Sequence, residues 1–292
     1  MDQNIYVTKA SGEKSLFSTE KIRRSLSKSG ASNEQIELVI EQVSNQLYEG
    51  ITTKKIYQIA YSILKGLGRH TAARYHLKRA IMELGPSGFP FEKYLGEILK
   101  YQGYSIQIGQ IIQGKCVTHE IDIIAKKNDQ LKMIECKYHN HPGIFCDVKI
   151  PLYIHARFED IKTYRQQAAG QHNAIFQGLV ATNTRFSIDA MKYATCSNLE
   201  LLGWDYPLNQ GLKDLIDQSG LYPITCLTSL TKSEKQQLLD LKVVLCKELQ
   251  SDEKILISIG VRSNRLTTAL REIDQLCQIL QQAPQKTNTK QL

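Results

Sequence analysis

Two carboxylates and a lysine lie within a short stretch, HEIDIIAKKNDQLKMIECK, that runs from His119 to Lys137. Its parts EIDII and LKMIEC read as two apolar strands joined by the turn residues KNDQ. Side chains alternate between the faces of a strand, so Asp122 on the first strand and Glu135 and Lys137 on the second are predicted to meet in one polar notch. Carboxylates suit Mg²⁺ or Mn²⁺, and a nearby lysine can orient a water. The chemistry indicated is hydrolysis of a phosphodiester.

Two other interpretations of these charges stay open at this point. The charges can instead form surface salt bridges on an amphipathic sheet, but the apolar flanks argue against this because a charge buried beside them is costly without a metal or partner. Zinc is the second alternative, since Cys136, His139 and His141 follow one another closely. No C-x-x-C or H-x-x-x-H spacing supports a closed tetrahedral site, so both histidines are interpreted as loop residues near the notch.

The elements around the notch alternate between helix and strand. A helix over FEKYLGEILKYQGY precedes three strands, in YSIQIGQIIQG, VTHEIDIIAKK and LKMIECKY. A helix over RFEDIKTYRQQAAG, a buried strand in AIFQGLVAT, a helix over SIDAMKYATCS and a strand in LELLGWD follow. This order predicts a sheet flanked by helices.

The pattern D-x12-E-x-K, in a helix-strand-strand-strand order, resembles the PD-(D/E)XK nuclease core, and within it the Mrr-like restriction endonucleases. The resemblance implies that Asp122 and Glu135 bind Mg²⁺ and that the carbonyl of Cys136 adds a ligand. It further implies that Lys137 serves the attacking water and that Glu92, on the entry helix, completes the catalytic site. The substrate implied is DNA.

The first segment of the chain begins with a short hairpin, NIYVTKA followed by SGEKS, and continues as four helical patterns. STEKIRRSLSKSG begins with a Ser-Thr cap and stops at glycine, which are helix start and stop signals. Lys9 on the hairpin and Lys21 at the start of a helix are positioned to converge, with the helix N-terminus, on a triphosphate.

This segment resembles the ATP-cone, a nucleotide-binding regulatory domain. The resemblance rests on VTKASGEKSLFSTEKIRRSL, GITTKKIY and AARYHLKRA. It implies that ATP or dATP binds as an allosteric effector at Val7, Lys9, Lys21 and Thr53. A helical interaction domain with a solvated basic face stays open as the alternative.

The third segment is predicted to be helical over LNQGLKDLIDQSG, TKSEKQQLLDLKVVLCKEL, DEKILISIGV and SNRLTTALREIDQLCQIL. The last two helices, joined by IGVRSN, resemble a helix-hairpin-helix unit. That resemblance implies DNA phosphate contacts by Gly260, Arg262, Asn264 and Arg265. A packing or dimerisation module is the other interpretation of this segment.

Composition supports a globular protein with an anionic partner. The 292 residues are 42% hydrophobic and 23% charged, with a net charge of +8. Residues 1–90 hold 13 Lys and Arg against 8 Asp and Glu, so most of the surplus lies there. Seven cysteines without a C-x-x-C pair do not describe a disulfide framework, which favours a reducing cytoplasm. No apolar run approaches the roughly 20 residues of a membrane span, and no signal-peptide region is recognisable.

The sequence therefore predicts a multi-domain α/β protein in four parts. These are an α+β ATP-cone of a hairpin and four helices (1–88), an Mrr-like PD-(D/E)XK nuclease domain (89–210), a helical accessory domain (211–282) and a disordered tail (283–292). The predicted function is that of a Mg²⁺-dependent DNA endonuclease, homo-oligomeric and regulated by ATP or dATP. One alternative is a nucleotide-responsive DNA-binding regulator whose nuclease fold does not cut. Another is a nucleotide-regulated scaffold without nucleic acid.

Overall fold

The computed structural model describes residues 5–9, 11–168 and 175–278. The tail predicted to be disordered, 283–292, lies outside these residues. Within the described ranges, no helix combines the length and the apolar character that crossing a membrane requires.

The N-terminal unit consists of a two-stranded antiparallel hairpin and four helices. Its elements are β1 (Tyr6–Thr8), β2 (Lys14–Leu16), α1 (Thr19–Lys28), α2 (Asn33–Ser44), α3 (Thr53–Leu67) and α4 (Arg69–Met82). Capping side chains fix two of the helix starts. Ser32 accepts a hydrogen bond from the Gln35 N–H, and Thr52 accepts one from the Lys55 N–H. The hairpin and the four helices predicted for this segment are present.

An α/β unit follows, built on a mixed five-stranded sheet in the order β3-β4-β5-β7-β9. Its elements are α5 (Phe89–Tyr101), β3 (Ser105–Gln113), β4 (Thr118–Lys127), β5 (Gln130–Lys137), β6 (Phe145–Cys146), α6 (Lys149–Ala168), β7 (Ile175–Thr182), β8 (Arg185–Phe186), α7 (Ile188–Cys196) and β9 (Glu200–Leu202). Strands β3, β4 and β5 pair antiparallel, whereas β5, β7 and β9 pair parallel. The short parallel pair of β6 and β8 was not predicted.

The turn between β4 and β5 sets the register of the catalytic candidates. Lys127 pairs with Gln130, which leaves a two-residue turn, and Asn128 adopts a φ of 52° there. Asparagine tolerates this left-handed conformation better than most residues, so the sequence KNDQ favours a tight hairpin. The register runs from this turn to the pair Ile123 and Ile134, next to Asp122 and Glu135.

The C-terminal unit contains five helices and a single turn of 3₁₀ helix at Ile224–Cys226. The helices are α8 (Leu212–Ser219), α9 (Lys232–Asp240), α10 (Cys246–Ser251), α11 (Lys254–Ser258) and α12 (Ser263–Cys277). The prediction of one helix over TKSEKQQLLDLKVVLCKEL was wrong. The chain breaks after α9, where Lys242 has a φ of 61°. The break buries the run Val243, Val244 and Leu245, whose consecutive apolar side chains do not suit one face of a helix.

Buried apolar side chains form three clusters. One lies within the N-terminal unit around Leu26, and another lies between the sheet and helices α6 and α7 around Phe158. The largest joins Leu77 of α4 to Phe91 of α5, to the other face of the sheet and to the C-terminal helices around Val244. The last helix of the N-terminal unit therefore packs into a core that it shares with the rest of the chain.

Polar contacts strengthen the attachment of α4. The hydroxyl of Thr225 donates to the carbonyl of Ala80 at 2.7 Å. Arg74 donates to the carbonyls of Leu276 and Gln278 at 3.4 and 3.1 Å. The Gly-Pro-Ser connection at residues 85–88 lies between α4 and α5, and the packing on both sides of it holds the N-terminal unit against the C-terminal helices.

Candidate active site and N-terminal cavity

Asp122 lies where β4 and β5 separate. Its carboxylate accepts a hydrogen bond from the backbone N–H of Cys136 at 2.6 Å, so the side chain takes the place of a backbone partner on the neighbouring strand. Burial raises the pKa of Asp122, and the Cys136 N–H opposes the rise. The alternation of the two strands thus brings Asp122 and the end of β5 together, as the sequence pattern indicated.

Glu135 is the most buried acidic group of the polar notch, with 5% of the residue exposed. Its two oxygens contact two cations, Lys137 at 2.6 Å and Arg157 at 2.9 Å. Lys137 shares a strand face with Glu135, two residues away, whereas Arg157 comes from α6. Sequence reasoning missed Arg157, and no spacing in the chain links it to Glu135, since only the packing of α6 on the sheet joins them.

Glu92, on the first turn of α5, faces the same notch from the opposite element. Burial raises the pKa of Glu92 to about 7, and the negative charges of Asp122, Glu120 and Glu135 raise it further, while Lys137 lowers it. Glu92 therefore lies within electrostatic reach of three other acidic side chains. Such a concentration of like charge is unfavourable unless protons or a cation compensate it.

The notch does not form a ready-made metal cluster. In the ranges that the structure describes, no three His, Cys, Asp or Glu side chains surround a common point as metal ligands would. The thiol of Cys136 is buried in the largest core cluster, so only its carbonyl is available to the notch. Cys146 lies 3.6 Å from Nε2 of His139, and this pair alone does not make a tetrahedral zinc site.

Buried polar side chains of residues 182–184 form hydrogen bonds at the end of β5. The hydroxyl of Thr182 donates to the carbonyl of Lys137 at 2.7 Å and lies 3.1 Å from the hydroxyl of Thr184. Asn183 accepts from the N–H of His139 at 2.9 Å and donates to its carbonyl at 2.7 Å. Sequence reasoning missed these residues, although a polar TNT directly after the apolar strand IFQGLVA was a usable signal.

The N-terminal unit contains a cavity of about 250 Å³, here called the N-terminal cavity. All four residues predicted to hold the nucleotide line it, namely Val7, Lys9, Lys21 and Thr53. Lys9 is paired with Glu13 at 3.0 Å. The hairpin supplies Val7 and Lys9, α1 supplies Lys21, and Thr53 is the first residue of α3. The tertiary structure thus brings together residues that are 46 positions apart in the sequence.

Two stacked tyrosines form one wall of the N-terminal cavity and were missed from the sequence. The rings of Tyr57 and Tyr75 lie 5.0 Å apart and nearly parallel, and the guanidinium of Arg79 lies 4.1 Å from the Tyr57 ring centre. The hydroxyl of Tyr57 lies 2.8 Å from Nδ1 of His76. Burial raises the pKa of Tyr75 to about 12, so its ring is neutral. Aromatic surface therefore forms this part of the cavity lining.

The residues of the C-terminal unit that were predicted to contact DNA differ in whether they are exposed or held by another side chain. Gly260, with a φ of 88°, and Arg262 are exposed between α11 and α12, and Asn264 is exposed in the first turn of α12. Arg265 is instead held by Glu234, to which it donates two hydrogen bonds at 2.8 and 2.7 Å. A phosphate contact by Arg265 stays a prediction, and it would have to compete with this ion pair.

Two family models match the chain. The ATP cone domain matches residues 5–82, which confirms the predicted nucleotide-binding type of the N-terminal unit. A family described as AF1548-like, C-terminal, matches residues 222–277.

Similar proteins extend the comparison beyond these segments. An uncharacterized protein of Archaeoglobus fulgidus is 34% identical over 179 residues, which is 61% of this chain and 97% of that protein. The crystal structure of AF1548, a protein of unknown function, is 31% identical, covers 65% of this chain and 98% of its own, and gives a TM-score of 0.53. Can2 from Sulfobacillus thermosulfidooxidans, in complex with cyclic tetra-adenylate, is 14% identical over 68% of this chain and 54% of its own, with a TM-score of 0.33.

Proposed function

This chain belongs to the AF1548-like family, and we propose that it is a Mg²⁺-dependent DNA endonuclease of the PD-(D/E)XK type, controlled by an adenine nucleotide on its ATP-cone. The observation that supports cleavage is the polar notch. Asp122 and Glu135 lie at the parting ends of two paired strands, Lys137 lies beside them, and Glu92 faces them from α5.

The donor chemistry of the notch fits Mg²⁺. The carboxylates of Asp122, Glu135 and Glu92 and the carbonyl of Cys136 are hard oxygen donors, which this ion prefers. Burial and then the negative charges of the neighbouring carboxylates raise the pKa of Glu92, and a bound cation would relieve that repulsion. Because Glu135 is paired with Lys137 and Arg157, holding a metal there requires Glu135 to exchange one of these partners. When bound, Mg²⁺ would stabilise negative charge on the scissile phosphate and make water a better nucleophile.

The side chains around the notch have separable roles in this proposal. Lys137, held against Glu135 at 2.6 Å, orients the attacking water. Arg157 becomes free to meet a phosphate oxygen when Glu135 turns to the metal, and its guanidinium suits that planar contact. The hydrogen bond from Thr182 fixes the carbonyl of Lys137 and so the end of β5.

The test is cleavage of supercoiled plasmid in Mg²⁺ by the full chain. Asp122→Asn and Glu135→Gln are expected to slow cleavage by at least ~100-fold, because they remove charge from the metal site while nearly conserving volume. Asp129→Asn is the matched control, since Asp129 lies in the exposed turn at the other end of the same hairpin. Equal cleavage by the wild type and both notch variants excludes the assignment.

Control by nucleotide follows from how the ATP-cone is attached. Its helix α4 packs in the same core as α5, which carries Glu92, and contacts the C-terminal helices. A nucleotide that binds one arrangement of these units more tightly shifts the population toward it. ATP or dATP is therefore proposed to change the oligomeric state and the cleavage rate together, because cutting both strands is easiest when two catalytic units face each other.

A DNA-binding regulator that does not cut is the second candidate, and one observation favours it. Glu135 is already neutralised by two cations, which is also the arrangement expected of a site that no longer binds metal. Binding of duplex DNA that weakens with salt, without cleavage in Mg²⁺ or Mn²⁺, would support this candidate over the first. The scaffold alternative would show neither DNA binding nor cleavage.

A further inference from the structure

A basic cleft of about 370 Å³ lies between the ATP-cone and the rest of the chain. Helices α1 and α4 supply one wall, and Arg185, Trp204 and α8 supply the other. Seven Lys and Arg side chains line the basic cleft, against two carboxylates. The two carboxylates serve the far wall, where Asp205 pairs with Arg185 at 3.1 Å and Asp217 lies 3.7 Å from Lys213.

Most of the cations on the cone side of the basic cleft form no direct ion pair among the described residues. Within the part of the chain that the structure describes, no carboxylate lies within 4 Å of Lys21, Arg24, Lys28 or Lys78. Arg74 is buried and donates to backbone carbonyls, while Asp217 lies within its electrostatic reach. Burial lowers the pKa of Lys78 and the nearby Arg185 lowers it further, whereas Asp205 opposes the shift. Several cations held against a poorly solvated wall repel one another, and an anionic ligand relieves that repulsion.

The basic cleft adjoins the N-terminal cavity, since Lys21, Ser25 and Tyr75 line both. The two spaces have opposite chemistry. The N-terminal cavity is mainly apolar and aromatic, and one of its two lysines, Lys9, already has Glu13 as a partner. It suits a base and ribose, whereas three phosphates need more positive charge than Lys9 and Lys21 provide. The basic cleft holds that charge immediately beyond Lys21.

We propose that the phosphate chain of the cone nucleotide passes Lys21 and lies in the basic cleft between Lys78 and Arg185, so that the nucleotide bridges the ATP-cone and the α/β unit. This inference rests on the proposed binding of an adenine nucleotide to the cone. In addition, because the phosphates contact both structural units, their number determines how tightly the nucleotide binds and how strongly it regulates cleavage.

A hydrogen-bonded path connects the far wall of the basic cleft to the polar notch. Arg185 begins β8, directly after Thr184, whose carbonyl accepts from the N–H of Trp204 at 2.8 Å. The hydroxyls of Thr184 and Thr182 lie 3.1 Å apart, and Thr182 donates to the carbonyl of Lys137 at 2.7 Å. A phosphate that draws Arg185 away from Asp205 therefore acts on the segment that supports the catalytic lysine.

Calorimetry on the full chain with ATP, ADP and AMP tests the bridge. The wild type is expected to bind more tightly with each added phosphate. Lys78→Met keeps an unbranched apolar side chain but removes the ammonium, which lies 5.6 Å from the centre of the Trp204 ring, and Arg185→Gln removes the other cation. Each variant is expected to lower ATP affinity about tenfold, the effect of losing one charge-assisted contact, and to leave AMP affinity within about twofold. Lys192→Gln, on the exposed face of α7, is the matched control and should bind all three ligands like the wild type.

The possible outcomes separate this inference from the proposed function. Wild-type chain that binds no adenine nucleotide overturns both. Tight ATP binding that is unchanged in Lys78→Met and Arg185→Gln, with normal thermal unfolding of the variants, overturns the bridge alone. If the two variants lose affinity for a single-stranded oligonucleotide while keeping the full preference for ATP over AMP, the basic cleft serves nucleic acid and the bridge is wrong.

Discussion

Removing Arg265 should destabilise the C-terminal unit rather than weaken a DNA contact. Glu234, 8% exposed, accepts two hydrogen bonds from Arg265, at 2.8 and 2.7 Å. It also accepts from the N–H of Thr231 at 2.7 Å and from the hydroxyl of the same residue at 3.0 Å. Arg265 donates further to the carbonyl of Ser229 at 3.2 Å. The pair thus ties α12 to the start of α9.

The magnitude follows from how exposed the two partners are. A hydrogen bond to a charged group contributes about 1.5–3 kcal/mol, and a fully exposed ion pair about 0–1 kcal/mol. The Arg265 side chain is 49% exposed and that of Glu234 11%, so the pair lies between these limits. Because solvent screens the half-exposed Arg265, Arg265→Ala is expected to lower the urea midpoint by a small but resolvable amount, and by more than Arg262→Ala does, since Glu234 keeps only its bonds to Thr231.

The same contacts predict how the effect depends on pH. The hydrogen bond from Arg265 lowers the pKa of Glu234 to about 2, and Thr231 contributes. A carboxylate whose pKa is depressed by folding stabilises the folded state above its unfolded pKa of about 4.3, and that contribution is lost as pH falls toward the folded pKa. The difference between the wild type and Arg265→Ala should be constant above about pH 5 and should shrink between about pH 4 and pH 2.

Urea unfolding followed by circular dichroism, at pH 7 and pH 3, measures both effects. Arg262→Ala is the matched control, since Arg262 is exposed on the same connection and forms no salt bridge within the described part of the chain. A double-mutant cycle with Glu234→Gln isolates the pair. An unchanged urea midpoint for Arg265→Ala, together with weaker DNA binding and a smaller salt slope, would refute this reasoning and restore Arg265 as a phosphate contact.

Three further predictions concern the remaining units. Lys9→Ala should weaken ATP binding while keeping basal Mg²⁺-dependent cleavage. It should also reduce the change in oligomer size and in plasmid cleavage rate that nucleotide causes, measured by light scattering and by a cleavage assay. An unaltered response contradicts the assignment of the N-terminal cavity to nucleotide. Gly178→Ala places a Cβ 2.5 Å from the Phe158 ring, so it should lower the free energy of unfolding, measured by urea titration, by ~1–3 kcal/mol. A urea midpoint equal to that of the wild type would mean that α6 moves to accommodate the methyl group. A fragment ending at residue 88 exposes Leu77 and Ile81 of α4 and should unfold at a lower urea concentration than the full chain. Equal urea midpoints would show that the shared core contributes little to the stability of this unit.

The sequence was informative wherever neighbouring residues set the structure. The turn KNDQ, the alternation of EIDII and the capping residues of the N-terminal helices are local signals, and the hairpins and most helices follow from them. The helix predicted across Val243 and Val244 failed because local pattern does not reveal that a buried run will be packed from several sides.

The candidate sites were likewise predictable only where the signal was local in the sequence or came from a family resemblance. Periodicity alone put Asp122, Glu135 and Lys137 on compatible strand faces, and the resemblance to the ATP-cone identified Val7, Lys9, Lys21 and Thr53, all of which line one cavity. Neither source pointed to Arg157, because its partner Glu135 lies 22 positions away on a different element. The stacked Tyr57 and Tyr75 were missed for the same reason.

Residue types and short spacings therefore indicated which chemistry to propose for this protein, since those signals depend on the chain over a few residues. The tertiary structure decided which charges meet. It turned Arg265 toward Glu234, placed Arg157 on Glu135, and set Lys78 opposite Arg185 across the basic cleft. Such pairings arise when helices pack on a sheet and bury a common core, and their energies depend on burial and distance in three dimensions, which the order of residues along the chain does not contain.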